Sequence, residues 1–154
     1  MTRTSAGLAL GVAILLLGSV ARVEAACSVS SSGVSFGVYD ILTPAPNDST
    51  GSVVLLCSPS DKNIRVTLSP GSSGTYIART LKQGSDQLLY NLFRDAARTI
   101  VWGDGSGGTS VLLVTNWTGG PNVSQTHPIY GRMPAQQDAA AGTYNDSIVV
   151  TINF

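Results

Sequence analysis

The chain is divided into short apolar segments by clusters of glycine, serine and proline, and this division constrains its fold more than any other feature. Ile64, Val66 and Leu68 alternate with polar residues, which is the period of a strand with one buried face. The turn-forming cluster 69–74 then ends that segment. No long apolar stripe of helical period is present, and segment 95–98 suits one helical turn at most. Short strands separated by frequent turns predict an antiparallel β-sandwich.

Further strands and loops follow from the same pattern. Segment 44–51 is predicted to be a loop, because Pro44 and Pro46 stand among turn-forming residues. Segment 52–58 is almost entirely apolar and is predicted to be a strand buried on both faces. The other predicted strands are 28–39, 76–81, 88–93, 99–102, 110–115, 129–133 and 147–154.

The C-terminal strand has the most regular alternation in the chain. Its apolar side chains share one face and are Ile148, Val150, Ile152 and Phe154. No turn follows it in the sequence to protect it from pairing. Because an exposed, regular strand is a template for another strand, we expect this segment to pair with a second chain.

The N-terminal residues are typical of a secretory signal. Arg3 precedes an apolar run over 7–20, and the small residues around Ala25 predict cleavage after that residue. The run is too short to span a bilayer, so we expect an exported protein without membrane insertion. The remaining residues, 26–154, suit a single domain. Their few, scattered charges give no basic surface for nucleic acid.

Cys27 and Cys57 are the two cysteines of the chain. In an oxidising compartment they are expected to form a disulfide that ties the first strand to the second. On the loop-entropy model, such a bridge stabilises the domain by roughly 3 to 4 kcal/mol. A metal site would need further ligands in sequence reach, and none is found, so no metal or cofactor is predicted.

A search for catalytic motifs is negative. The glycine-rich segment 103–108 lacks both the order of a serine nucleophile loop and the Gly-Lys-Ser/Thr of a phosphate loop, and it is predicted to be a hairpin tip. Asp104 lacks the further carboxylates, at alternate positions, of a calcium loop. His127, the one histidine, has no motif around it. We therefore expect no enzymatic activity.

The two tryptophans differ in their surroundings. Trp102 follows apolar residues in a predicted strand and is expected in the core. Trp117 lies in a predicted loop and is the better candidate for an exposed contact. An exposed ring there would suit an alternative function, that of a free secreted carbohydrate-binding module.

Several stretches together resemble the spore coat protein U domain, a family that includes subunits of archaic chaperone-usher pili. They cover essentially the whole mature chain in the family's order and are CSVS (27–30), VSFGVYD (34–40), LYNLFRDAAR (89–98), VWGDG (101–105), IYGRMP (129–134) and AGTYND (141–146).

The resemblance implies an immunoglobulin-like sandwich that lacks its last strand. A periplasmic chaperone would lend a strand beside the C-terminal strand, and at the outer-membrane usher a neighbouring subunit would replace it. By this resemblance, the residues that line the acceptor groove are Ile148, Val150, Ile152 and Phe154. The carboxylate of Phe154 would anchor the subunit to basic residues of the chaperone.

One feature departs from the pattern of a shaft subunit. A donor segment needs roughly 10 to 15 residues before the first cysteine, yet cleavage after Ala25 leaves only Ala26 there. We therefore expect a subunit that accepts a strand but donates none. The sequence predicts a non-catalytic structural subunit of a surface pilus or coat, exported to the periplasm and assembled by a chaperone-usher route.

Overall fold

The computed structural model describes residues 27–118 and 123–154, which form β-strands joined by turns and one short 3₁₀ helix, Gly71–Ser73. The strands are β1 Ser28–Ser32, β2 Asn47–Leu56, β3 Lys62–Leu68, β4 Arg79–Gln83, β5 Asp86–Phe93, β6 Leu112–Asn116, β7 Ser124–Met133 and β8 Val150–Asn153. The all-β fold predicted from the sequence is confirmed.

Two antiparallel sheets form the sandwich. The larger has the order β1-β2-β7-β5-β4, and the smaller has the order β6-β3-β8. Every strand pair is antiparallel. The C-terminal strand β8 therefore lies at an edge of the smaller sheet, and β1 lies at an edge of the larger one.

The core lies between the two sheets and follows the period of two. Val53 and Leu55 of β2 and Ile64 and Val66 of β3 are all 0% exposed. Trp102 is buried as predicted, and its indole N–H donates to the carbonyl of Val66 at 3.1 Å. Alternate residues of both sheets thus pack against each other, as expected for a sandwich.

Two predictions for the second strand are wrong. β2 begins at Asn47, inside the predicted loop, because pairing with β7 outweighs the local turn preference. Asp48, which lies opposite Arg132 in that pairing, accepts two hydrogen bonds from its guanidinium at 2.7 and 2.8 Å. The strand is also not buried on both faces, since Leu56 is 38% exposed and Val54 is half-buried.

Other boundaries shift as well. β1 ends at Ser32, so the second half of segment 28–39 is not a strand. Segment 99–102 contributes isolated bridges through Val101 and Trp102 and no full strand. The remaining predicted strands are present with displaced ends, as the bounds above show.

Arg79 is a buried cation that the sequence pattern did not predict. Its side chain is 0% exposed, and it donates to the carbonyls of Ser69 and Trp102 and to the side-chain oxygen of Asn91. Its guanidinium also lies 5.3 Å from the ring centroid of Tyr76. Burial lowers the pKa of Arg79. Three oxygen acceptors and an aromatic ring therefore replace water around this charge.

Within 27–118 and 123–154, no helix is long and apolar enough to cross a membrane. The predicted signal peptide, 1–25, lies outside the described residues and stays a prediction.

Candidate functional site: a cleft beside the larger sheet

A cleft of about 1110 Å³ opens beside the larger sheet, and we call it the open cleft. Its floor includes Leu81 of β4, Leu88 of β5 and Met133 of β7. Its first wall is segment 34–41, which continues from β1, and its second wall is segment 139–146, which precedes β8. Apart from a bridge at residue 145, neither wall belongs to a strand.

Close packing and one side-chain amide hold the first wall. A Cβ atom at Gly131 would lie 2.6 Å from a methyl of Val34 and 2.8 Å from the ring of Phe36, so glycine lets this wall lie directly on β7. The amide nitrogen of Asn47 donates to the carbonyls of Phe36 and Val38 at 3.0 and 3.2 Å. The wall therefore keeps its backbone partly satisfied without a strand ladder.

A tyrosine and a glutamine fix the same wall to the end of β7. The hydroxyl of Tyr39 donates to the carbonyl of Pro134 at 2.6 Å and accepts from the backbone N–H of Gln137 at 2.8 Å. The side chain of Gln137 then pairs with both backbone groups of Leu89, at 2.6 and 2.9 Å. The amide of Gln137 thus makes the two hydrogen bonds that the backbone of a neighbouring strand would make with Leu89 of β5.

The second wall is held by one backbone bridge and one carboxylate. Lys82 and Asn145 exchange backbone hydrogen bonds of 2.8 and 3.1 Å. Next in the chain, Asp146 accepts from the hydroxyl of Tyr90 at 2.7 Å and from the backbone N–H of Ser72 at 2.9 Å. This wall is thus joined to β4, to β5 and to the turn before β4.

Tyr90 connects the two walls. Its ring meets that of Phe36 edge to face, with centroids 5.8 Å apart, while its hydroxyl binds Asp146. Burial, followed by the hydrogen bond to Asp146, raises the pKa of Tyr90 far above its ordinary value. The phenol therefore remains a neutral donor at physiological pH.

Two edge strands adjoin the walls of the cleft in the chain: β1 precedes the first wall, and β8 follows the second. Among the described residues, β1 pairs with β2 alone and β8 pairs with β3 alone. The Cα atoms of β1 and β8 approach to within 8 Å, so one edge of each sheet lies on this side of the sandwich.

Comparison with known proteins identifies the family of this chain. The family model for the Spore Coat Protein U domain matches residues 13–151. The chain belongs to this family. Protein U of Myxococcus xanthus is 31% identical over 155 aligned residues, which cover 90% of this chain and 83% of that protein.

A solved structure shares the fold of this Spore Coat Protein U domain. It is a chain in the CsuC-CsuE chaperone-tip adhesion subunit pre-assembly complex, from the archaic chaperone-usher Csu pili of Acinetobacter baumannii. The two align with a TM-score of 0.59 and 25% sequence identity over 83% of this chain. The match covers 39% of the solved chain, so this protein spans well under half of that length.

The groove residues predicted for this family member lie further along the chain than the cleft. Ile148, Val150 and Ile152 are half-buried and pack against the core, whereas Phe154 is 53% exposed. None of the four lines the open cleft, whose second wall ends at Asp146. Their assignment to a groove stays a prediction.

Trp117 is not an exposed contact, and that prediction is wrong. Its side chain is 6% exposed and belongs to the core, although it follows the end of β6. The loop composition around it suggested exposure, but packing between the sheets buries the ring. The aromatic surface expected for a carbohydrate-binding module is therefore not formed by Trp117.

Cys27 and Cys57 form the predicted disulfide. They lie next to the paired residues Ser28 and Leu56, so the bond joins β1 to β2 at the edge of the larger sheet. Asp61 lies close to both sulfur atoms, but its carboxylate accepts the backbone N–H of Ser58 at 2.7 Å. With both sulfurs in the disulfide, this cluster has no thiolate to offer a metal.

The glycine-rich loop after Trp102 satisfies its own polar groups. Asp104 accepts hydrogen bonds from the backbone N–H and the hydroxyl of Ser106, and these bonds lower its pKa. Gly105 has the positive φ expected of a tight turn. The flanking residues Trp102 and Ser110 form a parallel bridge, however, so the loop is not the predicted hairpin tip.

His127 lies on β7 in the larger sheet and is half-buried. Burial, and then the charge of Arg94, lowers its pKa, which favours the neutral imidazole. Its Nε2 atom has no hydrogen-bond partner among the described residues. Within the part of the chain that the structure describes, no serine or cysteine side chain forms a hydrogen bond with His127.

Proposed function

We propose that this protein is a non-catalytic structural subunit of a bacterial surface pilus or coat, and that its open cleft accepts a strand from another chain. The observation that carries this proposal is the position of the cleft. The cleft lies between the segment that leaves β1 and the segment that leads into β8, and its lining includes the apolar side chains of Leu81, Leu88 and Met133.

The chemistry of the cleft suits an extended backbone better than a small ligand. Unpaired strand edges offer a row of N–H and C=O groups, which an added strand satisfies along its length. Of the floor residues, Leu81 is half-buried, whereas Leu88 and Met133 are 3% and 1% exposed and belong to the core. An inserted strand would therefore cover Leu81 and would pair with β1 or β8 where it extends beyond the walls.

We propose that the acceptor surface extends from the cleft along β8. The side chains expected to continue it are Ile148, Val150, Ile152 and Phe154. Their half-burial against the core, with Phe154 exposed, suits a face whose covering strand comes from a partner.

The partners follow from the similarity to the Csu pre-assembly complex. Before assembly, a periplasmic chaperone would occupy the cleft of this subunit. At an outer-membrane usher, a neighbouring subunit would take the place of the chaperone. The protein would then pass from the periplasm to the cell surface, as its membership of the Spore Coat Protein U domain family also favours.

We further propose that the subunit accepts a strand without donating one. Cleavage after Ala25 would leave Ala26 alone before Cys27. Such a subunit would form a one-to-one complex with a donor-strand peptide and would not polymerise by itself. N-terminal sequencing of the exported protein tests this: a start at Ala26 supports it, whereas a start upstream of Val20 together with polymerisation contradicts it.

Purification of the tagged protein from the periplasm of its own host tests the main proposal. We expect a chaperone, identified by mass spectrometry, in equal molar amount with the subunit. We also expect low yield when that chaperone is deleted. A stable monomer that is exported in full yield without any partner would contradict the proposal.

A further inference from the structure

An exposed apolar turn stands at one end of the open cleft. Val38 is 92% exposed, Leu42 is 80% exposed and Ile41 is 44% exposed. Single exposed apolar residues are ordinary on protein surfaces, but three within five positions of one turn are a local concentration of exposed apolar side chains. We call these three residues the apolar turn.

The apolar turn is held in its exposed position. One carboxylate oxygen of Asp40 accepts the backbone N–H of Leu42 at 2.9 Å, and the other accepts the hydroxyl of Thr43 at 3.0 Å. The carbonyl of Asp40 also accepts the backbone N–H of Thr43 at 3.2 Å. These bonds fix the turn locally, so its apolar side chains are presented to solvent by its own geometry.

The surface carries little charge to attract a polar partner. Asp40 is the one charged residue in segment 33–46, and both of its carboxylate oxygens bond within the turn. A membrane surface would require basic residues or a larger amphipathic face, and this segment has neither. With a charged partner and a membrane surface excluded, we expect the apolar turn to contact an apolar surface of another protein.

The apolar turn lies next to the open cleft, and this position indicates which protein would contact it. Val38 and Ile41 also line the open cleft, whereas Leu42 lies just beyond the end of the first wall. A strand that fills the cleft therefore passes beside Val38 and Ile41, and a folded domain joined to it at this end would lie next to Leu42.

We infer that the apolar turn is a docking surface for the folded body of the same chain that inserts a strand into the open cleft, in the first instance the chaperone. This inference rests on the proposed function, because it requires a strand in the cleft. It divides the interface into two parts: the cleft binds the strand, and the turn contacts the domain that carries it. Leu42 then affects the binding of a whole partner without affecting the binding of the isolated strand.

The test compares Leu42→Ser with Ile77→Ser. Ile77 is a matched control, since it is 90% exposed but does not line the cleft. Two probes are used: the chaperone that co-purifies with the subunit, and a synthetic peptide that copies the chaperone segment protected from hydrogen exchange in the complex. We expect Leu42→Ser to speed dissociation of the intact chaperone about tenfold, to leave peptide affinity within about twofold, and Ile77→Ser to change neither.

Each other outcome has a definite meaning. If Leu42→Ser releases the intact chaperone no faster than Ile77→Ser while the peptide still binds, the turn is not a docking surface and the acceptor role stands. If the wild-type protein binds neither probe, the acceptor role fails and the inference fails with it. If light scattering shows a wild-type dimer that Leu42→Ser converts to a monomer, the turn binds a second copy of this chain and the inference is wrong.

Discussion

The two ends of the sandwich are held together in different ways. In the closed half, the smaller sheet covers β2, and side chains such as Leu55 and Ile64 are completely buried. In the open half, the walls at 34–41 and 139–146 flank the cleft floor without a strand ladder between them. The closed half depends on continuous apolar packing, whereas each wall of the open half combines partial packing against the core with a small number of hydrogen bonds.

The difference shows how a cleft can stay open in a folded domain. Apolar burial is not directional, so an open apolar floor favours closure of its walls. The contacts of Tyr39, Asn47, Lys82 and Asp146 are directional and fix each wall to the larger sheet. We infer that these contacts set the width of the cleft before a partner arrives.

The largest expected effect is in the closed half. Ile64→Ala should lower the free energy of unfolding by about 2 to 5 kcal/mol, because it leaves a cavity among fully buried neighbours. Leu81→Ala, at the half-buried cleft floor, should lower it by less than about 1.5 kcal/mol. Denaturant unfolding of both variants measures the difference. Equal losses would contradict the division into closed and open halves.

Removing the disulfide should have an effect of similar size. Cys27→Ala should destabilise the protein by roughly 3 to 4 kcal/mol, since the unfolded chain regains the entropy of the closed loop. The sequence separation of the two cysteines is 30. Ser28→Ala, at an exposed neighbouring position, is the control and should have little effect. Free-thiol labelling checks the premise: two reactive thiols in the native protein would contradict it.

The C-terminal strand gives a test that acts on binding. Ile152→Asp should weaken chaperone capture at least a hundredfold, because a carboxylate in an apolar groove loses hydration worth several kcal/mol. Asn153→Asp introduces the same charge at an exposed position of β8 and should be tolerated. Co-purification with the chaperone decides between them. If the chaperone captures both variants equally well, β8 is not part of the acceptor surface.

The smallest effect is expected on the outer face of the larger sheet, away from the cleft. The hydrogen bond from Arg132 is the main cause of the lowered pKa of Asp48, and Arg98 adds a further charge. The ionised carboxylate therefore contributes stability above its ordinary pKa of 3.8 and loses that contribution as pH falls through the lower native pKa. Asp48→Asn should cost less than about 1 kcal/mol at pH 7.

The same variant should flatten the pH dependence of stability below about pH 5, and it should leave chaperone binding unchanged. Unfolding curves measured at several pH values test the first expectation. A loss of chaperone binding in this variant would show that the outer face also belongs to the interface.

The periodic part of the fold could be predicted from sequence, because alternation reports burial directly. Ile64, Val66 and Leu68 have the burial that their spacing predicts, and Trp102 lies in the core as expected. Local composition failed where tertiary pairing outweighs it, as at Asn47, where a strand begins inside a predicted loop. Trp117 failed for a related reason, since a ring at the end of a strand packs back between the sheets.

The open cleft could not be derived from periodicity, because its walls are not strands. Gln137 and Asp146 help to hold those walls through contacts between residues distant in sequence. One signal was nevertheless present. The stretches 34–40 and 141–146, which carried part of the family resemblance, form almost the whole of both walls.

Hydrogen exchange of the backbone amides, with and without the bound chaperone, tests the acceptor cleft most directly. The account predicts that β2 and β3 are protected in both states, whereas segments 34–41 and 139–146 and strand β8 gain protection only in the complex. The outer edges of β4 and β6 should not change. Unchanged exchange in both walls, or new protection confined to the edge of β6, would contradict the account.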